Sequence, residues 1–399
     1  MSAYYIKAGW LFDGSGTLPL KNPIIAIEDG IIKKILPEND AETSALILTD
    51  HDFYNFSDYI VMPAFIDSHV HLVMSGTDNP DVRKKQLNYK YEEAFSAIYG
   101  HIKSHHENGI IAVRDGGDYG GFSLKFACSE KSLTDKIPIT VRSPGKAWMH
   151  EGCYGKLIGR PPGKGETLAE AILKDSSPSD YIKIVNSGVN SLVEFGRLSP
   201  AQFTYDELKE AVIASGSKSV MVHANSPAPV LSAITAGATS IEHGFFAGDE
   251  ALGTMAEYGV VWVPTCVTMD AYGKIMDKAD SRSYIAVKNL EHQLMQIMKA
   301  YKYGVTIAAG TDAGSIGVNH GASLSREIEL FIEAGVPISI AIRYASLEGA
   351  KLLGIDSSYG SIERNKSASL IGVKSSLSGL AGKISSAKFI VIKGVVHKP

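Results

Sequence analysis

Short apolar runs dominate the first sixty residues of the chain, and they follow no helical period. Turn signals such as Asp13-Gly14 and Asp29-Gly30 separate these runs, and glycine at such places permits the backbone conformations that tight turns need. This pattern is typical of β-strands joined by short turns. The strands that it predicts are Ala3–Leu11, Pro23–Glu28, Gly30–Leu36 and Tyr59–Met62.

From Pro63 onward the pattern changes to an apolar strand, a polar loop and a helical segment, repeated along the chain. The predicted strands are Phe65–Leu72, Ile110–Arg114, Ile137–Arg142, Tyr181–Asn186, Ser219–Ala224, Ser240–His243, Val260–Pro264 and Val305–Ala309. The helical segments between them include Tyr91–Asn108, Thr204–Ser215, Pro229–Ala236, Asp249–Tyr258, Ser283–Tyr303 and Leu324–Ala334. Alternation of this kind favours parallel strands with right-handed crossovers, and eight strands are the number that a closed (β/α)8 TIM-like barrel needs.

After a last helical stretch at Pro337–Leu353, the chain returns to β-type runs at Ala368–Val373 and Lys388–His397. We expect these runs to pair with the N-terminal strands, so that both chain ends build one small β-sandwich domain. The sequence therefore predicts an α/β protein in three parts. Residues 1–61 and 359–399 form the small β domain, and residues 62–358 form the barrel.

Composition excludes several classes of partner. The 399 residues are 45% hydrophobic, which is enough for a large core, and the formal net charge of -4 provides no basic stripe for nucleic acid. We find no secretory leader pattern and no run of about twenty apolar residues, so we expect a cytoplasmic protein without a membrane partner. Three scattered cysteines, Cys128, Cys153 and Cys266, are too few for a disulfide framework, and we expect them to be small buried side chains.

Residues with metal-binding chemistry lie at the carboxyl ends of the predicted strands, where the active sites of barrels collect. His69 and His71 close the first strand, and alternate residues of a strand point the same way, so both can reach one metal ion. The others are Lys183 on the fourth strand, His223 on the fifth, His243 on the sixth and Asp312 just beyond the eighth.

Each of these residues also has a structural interpretation. A strand histidine is often a hydrogen-bonded core group, a lysine often extends its ammonium to solvent, and an aspartate beside glycines often belongs to a turn. Their joint occurrence at strand ends favours a metal site instead. Imidazole and carboxylate suit Zn²⁺, whereas an ordinary ammonium at Lys183 would repel it.

The chain resembles members of the amidohydrolase superfamily, in the branch of prolidase-like and imidazolonepropionase-related metal hydrolases. The resemblance extends over nearly the whole chain, and the segments that carry it are Met62–Leu72, Ser240–Gly244, Gly310–Ala313, Leu353-Gly354 and Gly360–Ile362. It implies two divalent ions, with zinc the expected metal, and a lysine carboxylated by CO₂ that both ions share. Carried over, His69, His71 and Asp312 would hold one ion, His223 and His243 the other, and carboxylated Lys183 both.

The same resemblance implies a mechanism and a set of substrate contacts. A hydroxide that bridges the two ions would attack the substrate, and Asp312 would take the proton and pass it to the leaving amine. His150, in the loop after the third strand, would hold a carbonyl or carboxylate oxygen, unless it is a solvated loop residue. Tyr154, Asn225 and His320 fall on predicted loops at the same end and are further substrate-binding candidates.

Three other features qualify this picture. Arg114 and the adjacent Asp115 are expected to form a structural ion pair. Ala368-Ser369-Leu370 stands where the family has Ala-Asp-Leu, which concerns only the small β domain. The loop at 143–148 lacks the glycine- and histidine-rich form of dipeptidase members, which weakens the case for dipeptidase specificity.

The resulting hypothesis is a metal-dependent hydrolase that cuts an amide or related C–N or C–O acyl bond in a small substrate, such as a dipeptide, an N-acyl amino acid or a cyclic amide. One alternative is a mononuclear deaminase of the same fold, which would be expected to carry glutamate three residues after His223, where Ser226 stands. Another is a catalytically silent scaffold, although silent relatives generally lose ligands and all six positions are filled here. The sequence is compatible with both a monomer and a homo-oligomer.

Overall fold

The computed structural model describes residues 3–37, 52–129, 137–386 and 388–397. The predicted small β domain therefore includes positions that lie outside the described residues, namely 1–2, 38–51, 387 and 398–399. The strands are β1 (Ala3–Leu11), β2 (Leu20–Lys21), β3 (Ile24–Glu28), β4 (Ile31–Leu36), β5 (Asp52–Pro63), β6 (Phe65–Val70), β7 (Ile110–Asp115), β8 (Thr140–Arg142), β9 (Ala147–Trp148), β10 (Gly159–Arg160), β11 (Ile182–Val185), β12 (Val220–Ala224), β13 (Ser240–His243), β14 (Val261–Val263), β15 (Leu370–Lys374), β16 (Lys388–Ile392) and β17 (Val395–His397).

The helices follow the strands in the middle of the chain. They are α1 (Pro80–Gln86), α2 (Tyr91–Glu107), α3 (Phe122–Ser129), α4 (Leu168–Lys174), α5 (Tyr205–Ala214), α6 (Pro227–Ala236), α7 (Gly248–Tyr258), α8 (Val267–Ile275), α9 (Ser281–Tyr303), α10 (Ser323–Glu333), α11 (Ile338–Tyr344) and α12 (Leu347–Leu352), with short 3₁₀ turns at Leu377–Gly379 and Ala381–Lys383. None of the helices in the described ranges combines the length and the apolar character needed to cross a bilayer.

One mixed sheet joins strands from both ends of the chain. Its order is β17-β16-β15-β5-β1-β3-β4, with β2 beside β1. Strand β5 is parallel to β1 and antiparallel to β15, so it connects the N-terminal and C-terminal strands. Alternate side chains of β1, including Tyr4, Ile6 and Ala8, are buried in a hydrophobic cluster with Leu370 and Phe389. The predicted pairing of the two ends is thus present, but the described residues do not distinguish a second layer of a sandwich.

The middle of the chain forms two parallel sheets, with strand orders β6-β7-β8 and β10-β9-β11-β12-β13-β14. Strands β6, β7, β11, β12 and β13 are buried along their whole length, as expected where both faces of a parallel sheet are covered. Of the eight strands predicted from Pro63 onward, the first seven are found, with bounds that agree to within about three residues. Two-residue strands β9 and β10 carry no sequence period, and they were not predicted.

The predicted eighth strand, Val305–Ala309, differs from the expectation. It is represented by an isolated bridge between Ile307 and Trp262. Its backbone nevertheless lies between β14 and β6, because Ala308 N donates to Trp262 O at 3.0 Å and Ser68 N donates to Ala309 O at 2.9 Å. The structure therefore shows an α/β fold with parallel sheets, and the strand assignment does not confirm closure into a barrel.

Local sequence signals explain where the helices begin and how they pack. The side chains of Thr167 and Thr204 accept hydrogen bonds from the backbone N–H groups of Glu170 and Glu207. In return, the carboxylates of the two glutamates accept hydrogen bonds from the backbone N–H groups of the two threonines. Such capping boxes satisfy N–H groups that have no partner inside the helix. In α10, buried residues recur at helical spacing and pack into the main hydrophobic cluster, as with Leu324, Ile328 and Phe331. The helices thus support the strand ends that carry the polar residues.

Candidate active site

A cavity of about 290 Å³ opens at the carboxyl ends of the parallel strands. It is lined by all six residues that the sequence analysis proposed as metal ligands: His69, His71, Lys183, His223, His243 and Asp312. Its volume lies at the low end of the roughly 300–1,000 Å³ typical of small-molecule sites. The six side chains come from distant parts of the sequence, so their convergence is a property of the fold.

His69, His71 and Asp312 form the most compact part of the site. Asp312 Oδ1 lies 3.2 Å from His71 Nε2 and 3.6 Å from His69 Nε2. Among the described residues, these three have the spacing of a metal site, since one donor atom from each lies within 4.8 Å of the others. Gly116 keeps the space beside His71 open, because a Cβ there would clash with the imidazole ring.

His223, His243 and Lys183 lie on the other side of His69. The ring centroids of His223 and His243 are 4.5 Å apart, and those of His69 and His243 are 5.0 Å apart. Lys183 Nζ is buried and has no hydrogen-bond partner among the described residues, and the same holds for His69 Nε2. An unpaired buried polar atom is costly, so both atoms fit a site that holds a further group.

Each of the four histidines has one ring nitrogen occupied by a neighbouring oxygen. The pairs are His69 Nδ1 with Glu242 Oε2 at 2.6 Å, His71 Nδ1 with Gly117 O at 3.0 Å, His223 Nε2 with Gly188 O at 3.2 Å, and His243 Nδ1 with Thr265 Oγ1 at 2.7 Å. Carbonyl and carboxylate oxygens only accept hydrogen bonds, so the ring nitrogens of His69, His71 and His223 that face such oxygens carry a proton. The partner of His243 is a hydroxyl group, which can donate or accept. At His69 the opposite nitrogen, Nε2, is free to direct a lone pair at the cavity, as in histidines that bind metals.

Burial and charge perturb the titrating groups of the cavity. Burial lowers the pKa of Lys183 to about 8; the carboxylate of Glu242 opposes this shift and the guanidinium of Arg114 adds to it. Burial would raise the pKa of Asp312, but its hydrogen bond and ion pair with His71 hold the pKa well below the usual range. Asp312 is therefore ionised at neutral pH, and Lys183 is closer to its neutral form than an exposed lysine.

Glu242 is a site residue that the sequence analysis missed, although it precedes His243 directly. Its Oε1 atom accepts hydrogen bonds from Arg114 Nη1 at 3.2 Å and Ser240 Oγ at 2.6 Å. Burial alone would raise the pKa of Glu242, but the Arg114 charge and the His69 hydrogen bond lower it to about 2. An ionised carboxylate in this place fixes the His69 ring with Nε2 directed at the cavity.

The expected ion pair between Arg114 and Asp115 is wrong. Neighbouring residues of a strand point to opposite faces, so Arg114 pairs with Glu242 instead. Asp115 accepts hydrogen bonds from the backbone N–H groups of Leu72 and Gly117, both at 2.8 Å. It therefore holds the loop that follows β6 rather than the neighbouring arginine.

Of the four proposed substrate contacts, two line the cavity. The Tyr154 ring lies 5.5 Å from the His223 ring, and Asn225 Nδ2 donates to Gly188 O at 3.0 Å. The Asn225 Oδ1 atom is buried without a hydrogen-bond partner in the described part of the chain.

The structure does not bring the other two substrate candidates into the cavity. His150 is exposed, and its Nδ1 atom lies 3.1 Å from the Glu151 carbonyl oxygen. His320 is buried, its ring stacks on His101 at 4.0 Å, and its Nε2 atom lies 2.8 Å from Met74 O. Neither is among the described residues that line the cavity.

The cysteines also differ from the expectation. Cys266 is buried, whereas Cys128 and Cys153 are exposed. Cys153 lies in the loop after β9 and is not one of the described lining residues. Two lining residues, Arg83 of α1 and Tyr272 of α8, were not identified from the sequence, because nothing in their local pattern distinguishes them from surface residues.

Comparison with known proteins agrees with this fold and site. The model of the family described as "Amidohydrolase family" matches residues 60–396. Ochratoxinase of Aspergillus niger is 25% identical, with 83% of this chain and 72% of that protein covered. A Xaa-Pro dipeptidase crystallised with methionine in its active site has a TM-score of 0.80 and 27% identity, with both chains fully covered. Phenylurea hydrolase B has the same fold, with a TM-score of 0.79, 14% identity, and 100% of this chain and 97% of that chain covered.

The family match covers most of the chain, including every residue of the candidate site. The chain belongs to the amidohydrolase family, in line with the resemblance seen in its motifs. It is a hydrolase that acts on C–N bonds.

Proposed function

We propose that this protein is a binuclear metal hydrolase that cleaves an amide or related C–N or C–O acyl bond in a small substrate. The observation that carries the proposal is the arrangement of four histidines, each held by an oxygen at one ring nitrogen, around a buried lysine and an ionised aspartate. In this proposal His69, His71 and Asp312 would hold one ion and His223 and His243 the other. Carboxylated Lys183 would contribute to both, and zinc is the expected metal.

The residues of the site have distinct roles in this reaction. When bound, the two ions would activate a water and polarise the scissile carbonyl. Asp312 accepts the proton and returns it to the leaving group, a role that its ionised state permits. Asn225 Oδ1, which is buried and unpaired, is available to accept a hydrogen bond from the substrate.

The environment of Lys183 supports its carboxylation. Its Nζ atom is buried, and its pKa of about 8 increases the neutral fraction of the amine. The neutral amine attacks the carbon of CO₂, an N–C bond forms, and one proton leaves to solvent. The product is an anionic side chain, which suits cations where an ammonium does not.

We also propose that the two parallel sheets belong to one barrel within residues 62–358. The segment from Val305 to Ala313 supports this proposal, because it makes backbone hydrogen bonds to both neighbouring strands. Its bridges to Trp262 and to Val70 connect the last strand of one sheet with the first strand of the other. The carboxyl ends of all eight segments then surround the cavity.

The deaminase alternative has less support. Ser226, at the place where a deaminase would carry glutamate, accepts a hydrogen bond from Ser199 N at 2.9 Å through its hydroxyl group. That interaction fixes the loop that follows β11. The silent-scaffold alternative is also disfavoured, because all six ligand positions are filled and meet in one cavity.

The test of the proposed function is a hydrolysis panel with matched variants. Dipeptides, N-acyl amino acids, lactones, cyclic ureas and aryl amides are incubated with the metal-replete protein and with His223→Ala. We expect hydrolysis of at least one class, and loss of that activity in His223→Ala. His106→Ala on α2, outside the cavity lining, is the control and keeps full activity. A panel without hydrolysis, or an unaffected His223→Ala variant, would overturn the proposal.

A further inference from the structure

Arg83 is a cationic residue inside the cavity whose charge the proposed reaction does not use. It lies on α1, and its guanidinium is about half-buried. Its Nη1 atom donates to three backbone carbonyl groups, those of Ser75 at 3.0 Å, Thr77 at 3.3 Å and Gly314 at 3.1 Å. These hydrogen bonds hold one nitrogen of the guanidinium in a fixed position.

The other two nitrogens of Arg83, Nη2 and Nε, are not engaged by the described part of the chain. Neither Nη2 nor Nε makes a hydrogen bond within the described ranges, and no described carboxylate lies within ion-pair distance of the guanidinium. Burial lowers the pKa of Arg83, while Tyr272 and Asp312 act in the opposite direction, which places the guanidinium within electrostatic reach of the proposed metal centre. An anionic ligand would provide the hydrogen-bond acceptors and the opposite charge that the guanidinium lacks here.

The cavity that Arg83 lines exposes more apolar than polar surface. The apolar residues of the cavity lining include Leu87, Leu157, Ile158, Leu192, Phe245 and Met269. A cavity of about 290 Å³ with this lining suits a small molecule that has an apolar body. With Lys183 assigned to the proposed metal centre, the guanidinium of Arg83 is the lining group that can orient a charged part of that molecule.

We propose that Arg83 binds a carboxylate of the substrate through Nη2 and Nε. The planar edge of a guanidinium matches a carboxylate in a bidentate arrangement, and lysine cannot reproduce that geometry. The inference rests on the proposed function and narrows its substrate class to N-acyl amino acids or dipeptides with an apolar side chain. Neutral cyclic amides and aryl amides without a carboxylate are then poor substrates.

A purely structural role is the competing explanation, since Arg83 also connects α1 with the loops at 75–77 and 314. Loss of that connection would weaken the binding of every ligand to a similar extent. Loss of a carboxylate contact would weaken only anionic ligands. The ratio of affinities for an anionic and a neutral ligand of the same shape therefore separates the two roles.

The experiment measures binding of 4-methylpentanoate and 4-methylpentan-1-ol to the metal-replete protein by isothermal titration. Neither ligand contains the kind of bond that the proposed reaction cleaves, so the result does not depend on turnover. We expect wild type to bind the carboxylate at least about tenfold more tightly than the alcohol, and Arg83→Gln to reduce this ratio about ten- to hundredfold. Arg83→Lys keeps the charge without the paired hydrogen bonds, and we expect a loss of about tenfold.

Lys84→Gln is the matched control, because Lys84 is the next residue of α1, is exposed and does not line the cavity. The Lys84→Gln variant should prefer the carboxylate over the alcohol by the same ratio as wild type. A wild-type protein without this preference, or a preference that survives both Arg83 variants, would overturn the inference. Failure of the hydrolysis panel with the preference intact would instead count against the proposed function alone.

Discussion

His243 and Asp312 both have a left-handed backbone, with φ of 69° and 58°. Such conformations cost non-glycine residues about 1–3 kcal/mol and persist where the surroundings hold them. Here Asp312 N donates to His69 O at 2.7 Å, and Gln293 Nε2 donates to His243 O at 2.7 Å. At each of these residues the chain leaves its strand, and the left-handed backbone turns the side chains of His243 and Asp312 toward the cavity.

Asp312→Asn tests the proton transfer at this scale. The amide keeps the shape of the side chain but cannot take up a proton, so we expect kcat to fall a hundredfold or more. Steady-state kinetics on the substrate found in the panel measures this change. The control is Asp249→Asn, which affects an exposed ion pair with Lys299 and should leave kcat unchanged. Unchanged turnover in Asp312→Asn would remove its proposed role.

Glu242→Gln tests how the buried residues behind His69 hold the metal site. The variant removes a charge that pairs with both His69 and Arg114, so we expect zinc affinity to fall about ten- to hundredfold. We also expect a loss of stability of about 3–5 kcal/mol, because Arg114 is left as a buried unpaired charge. Competition with a chelating dye measures the affinity. Ser240→Ala removes only one hydrogen-bond partner of Arg114 and is the milder control. Equal zinc affinity in Glu242→Gln and wild type would show that Glu242 does not support the metal site.

At the scale of elements, Asp270 joins two helices of the outer layer. It lies on α8, and its Oδ1 atom is 3.0 Å from Arg326 Nη2 on α10. Burial would raise the pKa of Asp270, but the hydrogen bonds to Arg326 and Lys274 lower it below the ordinary value of 3.8. Lys274 is mostly exposed and contributes little, so Arg326 is the main partner.

Asp270→Asn should therefore destabilise the protein by about 1.5–3 kcal/mol at neutral pH. A carboxyl whose folded pKa is lowered stabilises the protein above its unfolded pKa, and this stabilisation is lost as pH falls through the folded pKa. The difference between wild type and variant should accordingly be full at pH 7 and shrink below pH 3.8. Chemical denaturation between pH 7 and pH 3 measures it. A difference that stays constant over this range would show that the charge is not responsible.

The elements also show how far the sequence alone leads. Short, mainly apolar runs located seven of the eight strands predicted for the middle of the chain, because parallel strands that are buried on both faces are rich in apolar residues. The eighth, Val305–Ala309, is represented by an isolated bridge from Ile307, and the chain beyond it adopts a left-handed conformation at Asp312.

Within the site, sequence reasoning found the polar residues at strand ends but not their partners. Glu242 and Arg114 meet across the interior, and no local pattern encodes that contact. Arg83 lines the cavity but stands between exposed residues of α1, so its sequence context alone gives no signal. His150 was proposed from the resemblance to related enzymes and His320 from its predicted loop, and loops are the most variable part of a fold.

At the scale of the whole molecule, the two largest hydrophobic clusters of the described residues meet at the mixed sheet. The larger extends over the helices and parallel strands and includes Ile60, Met62 and Ile371 of that sheet, and the other lies within the sheet built from both chain ends. Strand β5 runs from Asp52 to Pro63 and so spans the predicted boundary at residue 61. The division into 1–61, 62–358 and 359–399, the cytoplasmic location and a homo-oligomer remain predictions.

Metal removal should affect the stability of the whole molecule. Ions that bind only the folded protein stabilise it by mass action, and several of the proposed ligands come from different strands. We expect dialysis against a chelator to lower the Tm and abolish activity, and added zinc to restore both. Calorimetry before and after dialysis measures the shift. A Tm and an activity that are independent of the chelator would show that the protein needs no metal.

The metal content of the active protein tests the central claim most directly. Elemental analysis of purified protein with measured turnover gives the divalent ions per chain. We predict about two equivalents, because the histidines, the aspartate and the carboxylated lysine provide ligands for two ions. Fewer than about one equivalent in fully active protein would contradict the account.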